Sequence, residues 1–149
     1  MDIKSKEERS RNMAAIRSKD TKPEIFFRKL LFSSGFRYRK NVSDIPGHPD
    51  LYFAKYRTAI FVHGCFWHRH SGCKYAYMPK SRTEFWNEKF EKNIKRDKEV
   101  LRQLTEKEIK CLVIWECTIR KMIKSMVIAN DILLKVVDFF SSTKLYMEL

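Results

Sequence analysis

One short loop, HGCFWHRHSGC over residues 63–73, concentrates the residue types in this sequence that could do chemistry. It carries three histidines and two cysteines, which can bind metal ions or transfer protons, together with two bulky aromatic residues, Phe66 and Trp67. Metal binding and base catalysis would explain the polar residues. They do not explain why two large apolar side chains occupy the same polar loop, so a function for the loop has to account for both kinds of residue.

The spacing of Cys65, His70 and Cys73 is typical of a zinc site, which needs a fourth ligand. Alternation places Cys111 inside a predicted strand, whereas Cys117 stands just past the end of that strand, so Cys117 is the better candidate. Four protein ligands close the coordination sphere. Such a zinc would hold the loop in shape and would not activate water. Ordinary buried cysteines are the alternative, which their crowding with histidines disfavours.

His63 and His68 have no part in this zinc site, and they flank its loop. Asp50 stands at the start of a predicted strand, and the return strand of the same hairpin ends at His63. If the hairpin turns at residues 55–56, antiparallel pairing places Asp50 opposite Phe61, close to Val62 and His63. The pattern predicts that a carboxylate and a histidine meet across one hairpin, with the register fixed to within one residue.

These residue types suit the hydrolysis of a phosphodiester. That reaction needs a divalent cation to offset charge at phosphorus, a base for the attacking water, and help for the leaving oxygen. Asp50 supplies a hard oxygen ligand suited to Mg²⁺. A histidine is a fitting base at neutral pH, and the two flanking histidines favour a catalytic site.

Asp97 interrupts an apolar stripe on a long predicted helix. A capping box at residues 81–84 opens this helix, which runs to about Leu104. Its apolar residues recur at spacings of three and four, namely Trp86, Phe90, Ile94, Leu101 and Leu104. A carboxylate among them needs a partner. A structural ion pair, a position at the rim and a catalytic role all meet that need, and this pattern does not separate them.

The length of 149 residues predicts one domain, 1–149, that positions these groups. In the first half of the chain we expect a basic helix within residues 1–20, a helix from the Thr21–Glu24 cap to about Gly35, and an extended stretch at 37–42. The hairpin of strands 50–54 and 58–63 follows. After it come the long helix, a strand at 111–115, and a C-terminal helix within 118–149. This order predicts a three-layer α/β domain with a central mixed β-sheet flanked by helices and a zinc-bound loop.

A net charge of +13 calls for an anionic partner, of which nucleic acid is the commonest. The charge is uneven: the net is +7 over residues 1–40 and +4 over 74–110, but only +1 over 41–73. A nearly neutral chemical centre with basic flanks suits a site that binds a polyanion and cleaves one bond. The N-terminus lacks a signal sequence and no stretch is apolar enough to span a membrane, so we expect a cytoplasmic protein without a membrane partner.

Five segments together resemble the Vsr family of very short patch repair DNA mismatch endonucleases. They are PGHPD ending at Asp50, FVHGCFWH ending at His68, RTEFW ending at Trp86, NIKRD ending at Asp97, and VIWEC ending at Cys117. The resemblance implies a restriction-endonuclease-like fold and an enzyme that nicks one strand 5′ to the thymine of a T:G mismatch in double-stranded DNA, using Mg²⁺. It also implies a monomer, with mismatch-repair proteins as candidate partners.

The resemblance assigns roles to individual residues. Asp50 is the metal-binding carboxylate, and the backbone carbonyl of Val62 completes the Mg²⁺ site. His63 and His68 are the catalytic histidines, with His68 as the base. The resemblance also implies that Asp97 orients a histidine and that Glu24 reaches metal-bound water. It assigns zinc binding to Cys65, His70, Cys73 and Cys117, and DNA contact to the basic helix within 1–20. Residues implied to wedge into the duplex beside the mismatch are Met13, Phe66 and Trp67.

Two alternative functions fit parts of the same pattern. A zinc-stabilised DNA-binding module without catalysis would explain the charge and the loop, but not the convergence of Asp50 with two histidines. A sequence-specific nicking enzyme of the restriction type would keep the chemistry and lack the mismatch preference. Nicking assays on matched and mismatched duplexes would separate them.

Overall fold

A five-stranded mixed β-sheet forms the centre of the computed structural model, which describes residues 20–149. The helices are α1 (Lys22–Ser33), α2 (Thr83–Glu106), α3 (Glu116–Lys124) and α4 (Met126–Ser141). The strands are β1 (Arg39–Lys40), β2 (Leu51–Phe53), β3 (Thr58–His63), β4 (Lys110–Trp115) and β5 (Tyr146–Glu148). The predicted basic helix falls within residues 1–20 and so lies, apart from Asp20, outside the described residues.

The strands lie in the order β1-β2-β3-β4-β5. The β1–β2 and β2–β3 pairs are antiparallel, and the β3–β4 and β4–β5 pairs are parallel. Helix α2 makes the crossover between the parallel strands β3 and β4, as parallel pairing requires. The predicted α/β class, with a mixed sheet flanked by helices, is confirmed.

Alternate residues of the central strands divide between two cores, one on each face of the sheet. Ile60, Leu112 and Ile114 belong to the core that also contains residues of α1, α3 and α4. Phe61 and Val113 belong to the second core, with Leu104 of α2. Side chains of a strand alternate between faces. His63 therefore shares the face of Phe61, and the face covered by α2 is the one on which the candidate chemistry lies.

The β2–β3 hairpin has the register expected from the sequence. Leu51 pairs with Ile60 and Phe53 with Thr58, so Asp50 falls opposite Phe61. A single turn of 3₁₀-helix at Ala54–Tyr56 and a left-handed residue, Arg57 (φ 48°), form the connection. The return strand covers Thr58–His63 as predicted.

The single C-terminal helix predicted within 118–149 is wrong. The chain forms two helices, α3 and α4, and then the edge strand β5. Ser125 is extended (φ −142°) and its side chain accepts a hydrogen bond from the N–H of Ile128, so it ends α3 and caps α4. The buried ammonium of Lys110 binds the carbonyls of Phe139 and Ser142 at the end of α4, after which the chain returns to pair with β4.

Two features of the long helix also differ from expectation. Arg82, in a left-handed conformation (φ 54°), precedes α2, and no side chain of the predicted capping box caps it. The guanidinium of Arg82 instead lies over the ring of Phe85, 4.2 Å from its centroid. Ile94 does not enter the core; it is 36% exposed and lines a cleft, while Asn93 takes the buried position beside it. No helix within residues 20–149 is long and apolar enough to cross a membrane.

Candidate active site and metal centre

A cleft of about 770 Å³ opens between α2 and the sheet. The candidate catalytic residues that line it are Asp50, His63, His68 and Asp97. Two basic residues of α2, Arg96 and Lys98, line the same cleft. The structure therefore brings together groups from the start of β2, the end of β3, the following loop and the middle of α2, next to positive charge that suits a phosphate.

Asp50 points across the hairpin to the end of β3. Its Oδ2 accepts a hydrogen bond from the backbone N–H of Val62 at 2.6 Å. Burial raises the pKa of Asp50 to about 7, because the carboxylate loses water, and the carboxylate of Glu24 raises it further. The hydrogen bond from the N–H of Val62 and the charge of His68 lower this pKa, but by less than burial raises it.

Glu24, in the first turn of α1, does not line the cleft, but it lies near enough to Asp50 to act on its charge. Thr21 caps the helix by accepting the N–H of Glu24, whose Oε2 accepts the N–H of Asp20 at 2.9 Å. The side chain is only 2% exposed, and burial raises its pKa. Arg28, 3.4 Å from Glu24, offsets part of its charge. A divalent cation beside Asp50 would offset the remaining cost of ionising both carboxylates. We expect Asp50 and the backbone carbonyl of Val62 to bind that cation.

His63, His68 and Asp97 are in contact one after the other: the two imidazole rings stack, and His68 is bonded to Asp97. The imidazole rings of His63 and His68 lie parallel, 3.8 Å apart and within 4°. The Nδ1 atom of His68 lies 2.7 Å from Oδ2 of Asp97. Burial lowers the pKa of His63 to about 3, and the neighbouring His68 lowers it further, against the effect of Asp97. His63 is therefore neutral at physiological pH.

The same three residues could be considered as a metal site, because their ligand atoms lie within 4.8 Å of one another. Two parallel rings, however, direct their nitrogen lone pairs side by side and not toward a common point. The bond between His68 and Asp97 also occupies Nδ1 of His68 and leaves Nε2 for a proton. This arrangement suits proton transfer better than metal binding.

Cys65, His70, Cys73 and Cys117 form a second cluster, and their ligand atoms all lie within 4.8 Å of one another. The Nδ1 of His70 is 3.4 Å from Sγ of Cys117, close to the roughly 3.5 Å between ligand atoms expected from zinc bond lengths. Burial raises the pKa of the Cys65 thiol, a cost that a bound cation removes by stabilising the thiolate. This donor set fits zinc. Cys111 is buried in β4, as the alternation predicted.

This cluster provides a direct test of which cysteines bind metal. We expect Cys117→Ala to lose most of the roughly one zinc per chain of a closed site, because it removes a ligand. Cys111→Ala is the matched control, since it removes a thiol from the same strand region without touching the cluster, and it should retain its zinc. Metal analysis of the purified variants measures both, and zinc loss in the control alone would contradict the assignment. Asp50→Ala should also retain zinc.

Two residues with no role predicted from the sequence fix the loop: Asn93 from α2, and Arg69 from within the loop. Asn93 donates from Nδ2 to the carbonyl of Trp67 at 3.0 Å. Arg69, in a left-handed conformation (φ 55°), binds the carbonyls of Phe66, Ala76 and Tyr77. Asn93 lies one helical turn before Asp97, a spacing that signals a shared face. The sequence carries no comparable signal for Arg69.

Phe66 and Trp67 lie in an aromatic cluster at the surface between the loop and α2. Phe66 contacts the rings of Trp67, Trp86 and Phe90 at 5.2–5.5 Å. Trp67 contacts Trp86 at 5.8 Å. Both rings are half-buried and belong to neither core of the sheet. Met13, the third residue of the expected wedge, lies outside the described residues.

Comparison with known proteins adds an independent finding. The family model described as DNA mismatch endonuclease Vsr matches residues 1–74. The chain is 47% identical over 119 residues to the type II nicking enzyme V.NmeAIP of Neisseria meningitidis, covering 80% of this chain and 84% of that protein. It is 42% identical over 119 residues to the DNA mismatch endonuclease Vsr of Escherichia coli K12, covering 80% and 76%. It is 43% identical over 113 residues to the type II nicking enzyme V.XorIIP of Xanthomonas oryzae pv. oryzae, covering 76% and 82%.

Proposed function

Because this chain belongs to the Vsr family of DNA mismatch endonucleases, we propose that it nicks one strand of a duplex 5′ to the thymine of a T:G mismatch. Its family and its restriction-endonuclease-like fold make it a nuclease that acts on DNA. The mismatch, the strand and the metal ions are the proposal. The observation that supports it most is that the stacked histidines, His63 and His68, and the aromatic pair, Phe66 and Trp67, lie on one loop that also carries ligands of the Cys/His cluster.

The cleft suits in-line hydrolysis of a phosphodiester. A divalent cation, proposed as Mg²⁺, would offset the negative charge that develops on the phosphate. Asp50 and the Val62 carbonyl are the groups that would hold it, with Glu24 placed to orient water beside it. The raised pKa of Asp50 means that the site has to lose a proton to bind the cation.

His68 is the residue we assign as the base. Its Nδ1 is held by Asp97, which fixes the orientation of the ring and leaves Nε2 to take a proton from the attacking water. His63 is stacked on His68 and uncharged, so it positions that ring and can donate a hydrogen bond to a phosphate oxygen. This division of roles gives Asp97 a reason to interrupt the apolar stripe of α2.

Phe66 and Trp67 would supply the preference for a mismatch. Inserting an apolar side chain at a base step requires unstacking, which costs a few kcal/mol and least where the pair is mismatched. Zinc held by Cys65 and His70, on either side of the two rings, would keep them aimed. The proposal includes action as a monomer in the cytoplasm, with mismatch-repair proteins as candidate partners.

A second candidate is a nicking enzyme that reads a sequence without a mismatch. Two of the relatives compared above carry the name type II nicking enzyme, which favours this candidate for the present chain as well. Both candidates use the same catalytic residues, so the difference between them lies in the substrate.

Nicking of otherwise identical matched and T:G duplexes, each labelled on one strand, separates the two candidates. We expect Mg²⁺-dependent cleavage of the thymine strand in the mismatched duplex only. His68→Ala, purified in parallel, controls for contaminating nuclease and should be inactive. Equal cleavage of both duplexes would favour the sequence-specific candidate, and binding without cleavage would favour a DNA-binding module.

A further inference from the structure

The indole ring of Trp115 lies between the Cys/His cluster and the catalytic cleft. The residue is 7% exposed, and its ring stacks on His70 with centroids 4.2 Å apart. The same ring and that of His63 meet edge to face, with centroids 5.4 Å apart. Trp115 also pairs with His63 in the register of β3 and β4. A rotation of this one ring would disturb both a candidate zinc ligand and a candidate catalytic histidine.

The orientation of the indole is fixed from β5. Its Nε1–H donates to Oε1 of Glu148 at 2.8 Å. The backbone N–H of Trp115 donates to the carbonyl of Leu149, and the N–H of Leu149 donates to the carbonyl of Val113, each at 2.9 Å. Tyr146, from the same strand, lines the cleft. Strand β5 is therefore bonded to the residue that contacts both parts of the site.

We propose that Glu148 is a positioning residue for DNA cleavage, which acts through Trp115 to fix the rings of His63 and His70. The inference rests on the role proposed above for His63. It requires a hydrogen-bond acceptor at position 148 and does not require a negative charge, since the oxygen of an amide accepts the same bond. It also requires the indole N–H, because that group makes the hydrogen bond by which Glu148 holds Trp115.

Glu148→Ala and Glu148→Gln test the inference against Asp138→Ala, which removes an exposed carboxylate from α4. Mutating a group that orients a metal ligand typically lowers activity or metal affinity by about 10–100-fold. We therefore expect Glu148→Ala to lower the single-turnover nicking rate roughly tenfold. Duplex affinity without divalent cation should stay within about twofold, and a chelator should extract zinc several times faster. Glu148→Gln should remain close to wild type on all three measurements, as should Asp138→Ala.

A double-mutant cycle shows whether Glu148 acts through Trp115. Trp115→Phe retains a ring but lacks the N–H, so adding Glu148→Ala to it should cause no further loss. Additive losses, a Glu148→Gln variant as defective as Glu148→Ala, or a Glu148→Ala variant indistinguishable from Asp138→Ala would each overturn the inference. If the wild type does not nick T:G duplexes, the proposed function fails. The rate of zinc extraction still decides this inference, and equal rates for wild type and Glu148→Ala would refute it.

Discussion

Asp50→Asn is expected to abolish nicking and, at the same time, to stabilise the metal-free protein at pH 8. The folded protein holds a proton on Asp50 up to about pH 7, whereas the unfolded chain releases it near the ordinary pKa of 3.8. The folded state thus binds more protons between these values, so its free energy of unfolding falls as pH rises through this window. Asparagine cannot ionise, and its Oδ1 can still accept the N–H of Val62.

The expected gain in the free energy of unfolding at pH 8 is roughly 2–4 kcal/mol, because one pKa unit corresponds to about 1.4 kcal/mol. Urea denaturation at pH 5 and pH 8, without divalent cation, measures it, and the gain should be smaller at pH 5. Asp44→Asn is the matched control, since within residues 20–149 Asp44 pairs with Arg39 at the surface. Mg²⁺ should raise the melting temperature of the wild type but not of Asp50→Asn. An Asp50→Asn variant that still nicks, or that Mg²⁺ stabilises equally, would contradict the assignment of Asp50.

Replacing both Phe66 and Trp67 by alanine is expected to remove most of the preference for a T:G duplex. The two rings are half-buried in a surface cluster, so the stability loss should be smaller than the roughly 3–5 kcal/mol typical of a fully buried aromatic residue. Base–aromatic stacking is worth about 1–3 kcal/mol for each base. Losing two such contacts should slow cleavage of the mismatched duplex by roughly 100-fold or more.

Three measurements on this double variant distinguish a wedge from a structural role. Zinc content and thermal melting report on the fold, and the ratio of cleavage rates on mismatched and matched duplexes reports on selectivity. Phe32→Ala, on α1, removes an exposed aromatic residue far along the chain from the loop and should leave that ratio unchanged. A double variant that melts early with an unchanged ratio would show that the rings serve the fold.

The parts of the fold that the sequence predicted are those in which local pattern and burial agree. Strand β3 is apolar on both faces, as a central strand between two layers has to be, and its bounds were predicted correctly. The hairpin register followed from the turn position, and it placed Asp50 opposite Phe61. The distinction between Cys111 and Cys117 followed from alternation within β4, and the geometry brings only Cys117 to the cluster.

The parts that were missed depend on contacts between distant segments. Nothing in the local pattern around Ser125 outweighs the helical periodicity on either side, so the break between α3 and α4 was not foreseen. Strand β5 is short and exposed, and it is defined by pairing with β4 and not by its own composition. The stacking of His63 on His68 likewise results from the path of a loop whose shape has no periodic signal.

The Cys/His cluster has a consequence for how the protein folds. Three of its residues follow β3 and the fourth opens α3, and they meet only when β3 and β4 have paired in parallel around the α2 crossover. Such non-local pairing forms slowly, because loop-closure entropy is lost before the contacts form. The set of four ligands is therefore completed only after this slow step, so a metal ion held by all four would leave the folding rate nearly unchanged and slow unfolding instead. A metal ion bound there would thereby slow the separation of β3 from β4, the strand pair with the largest separation in sequence.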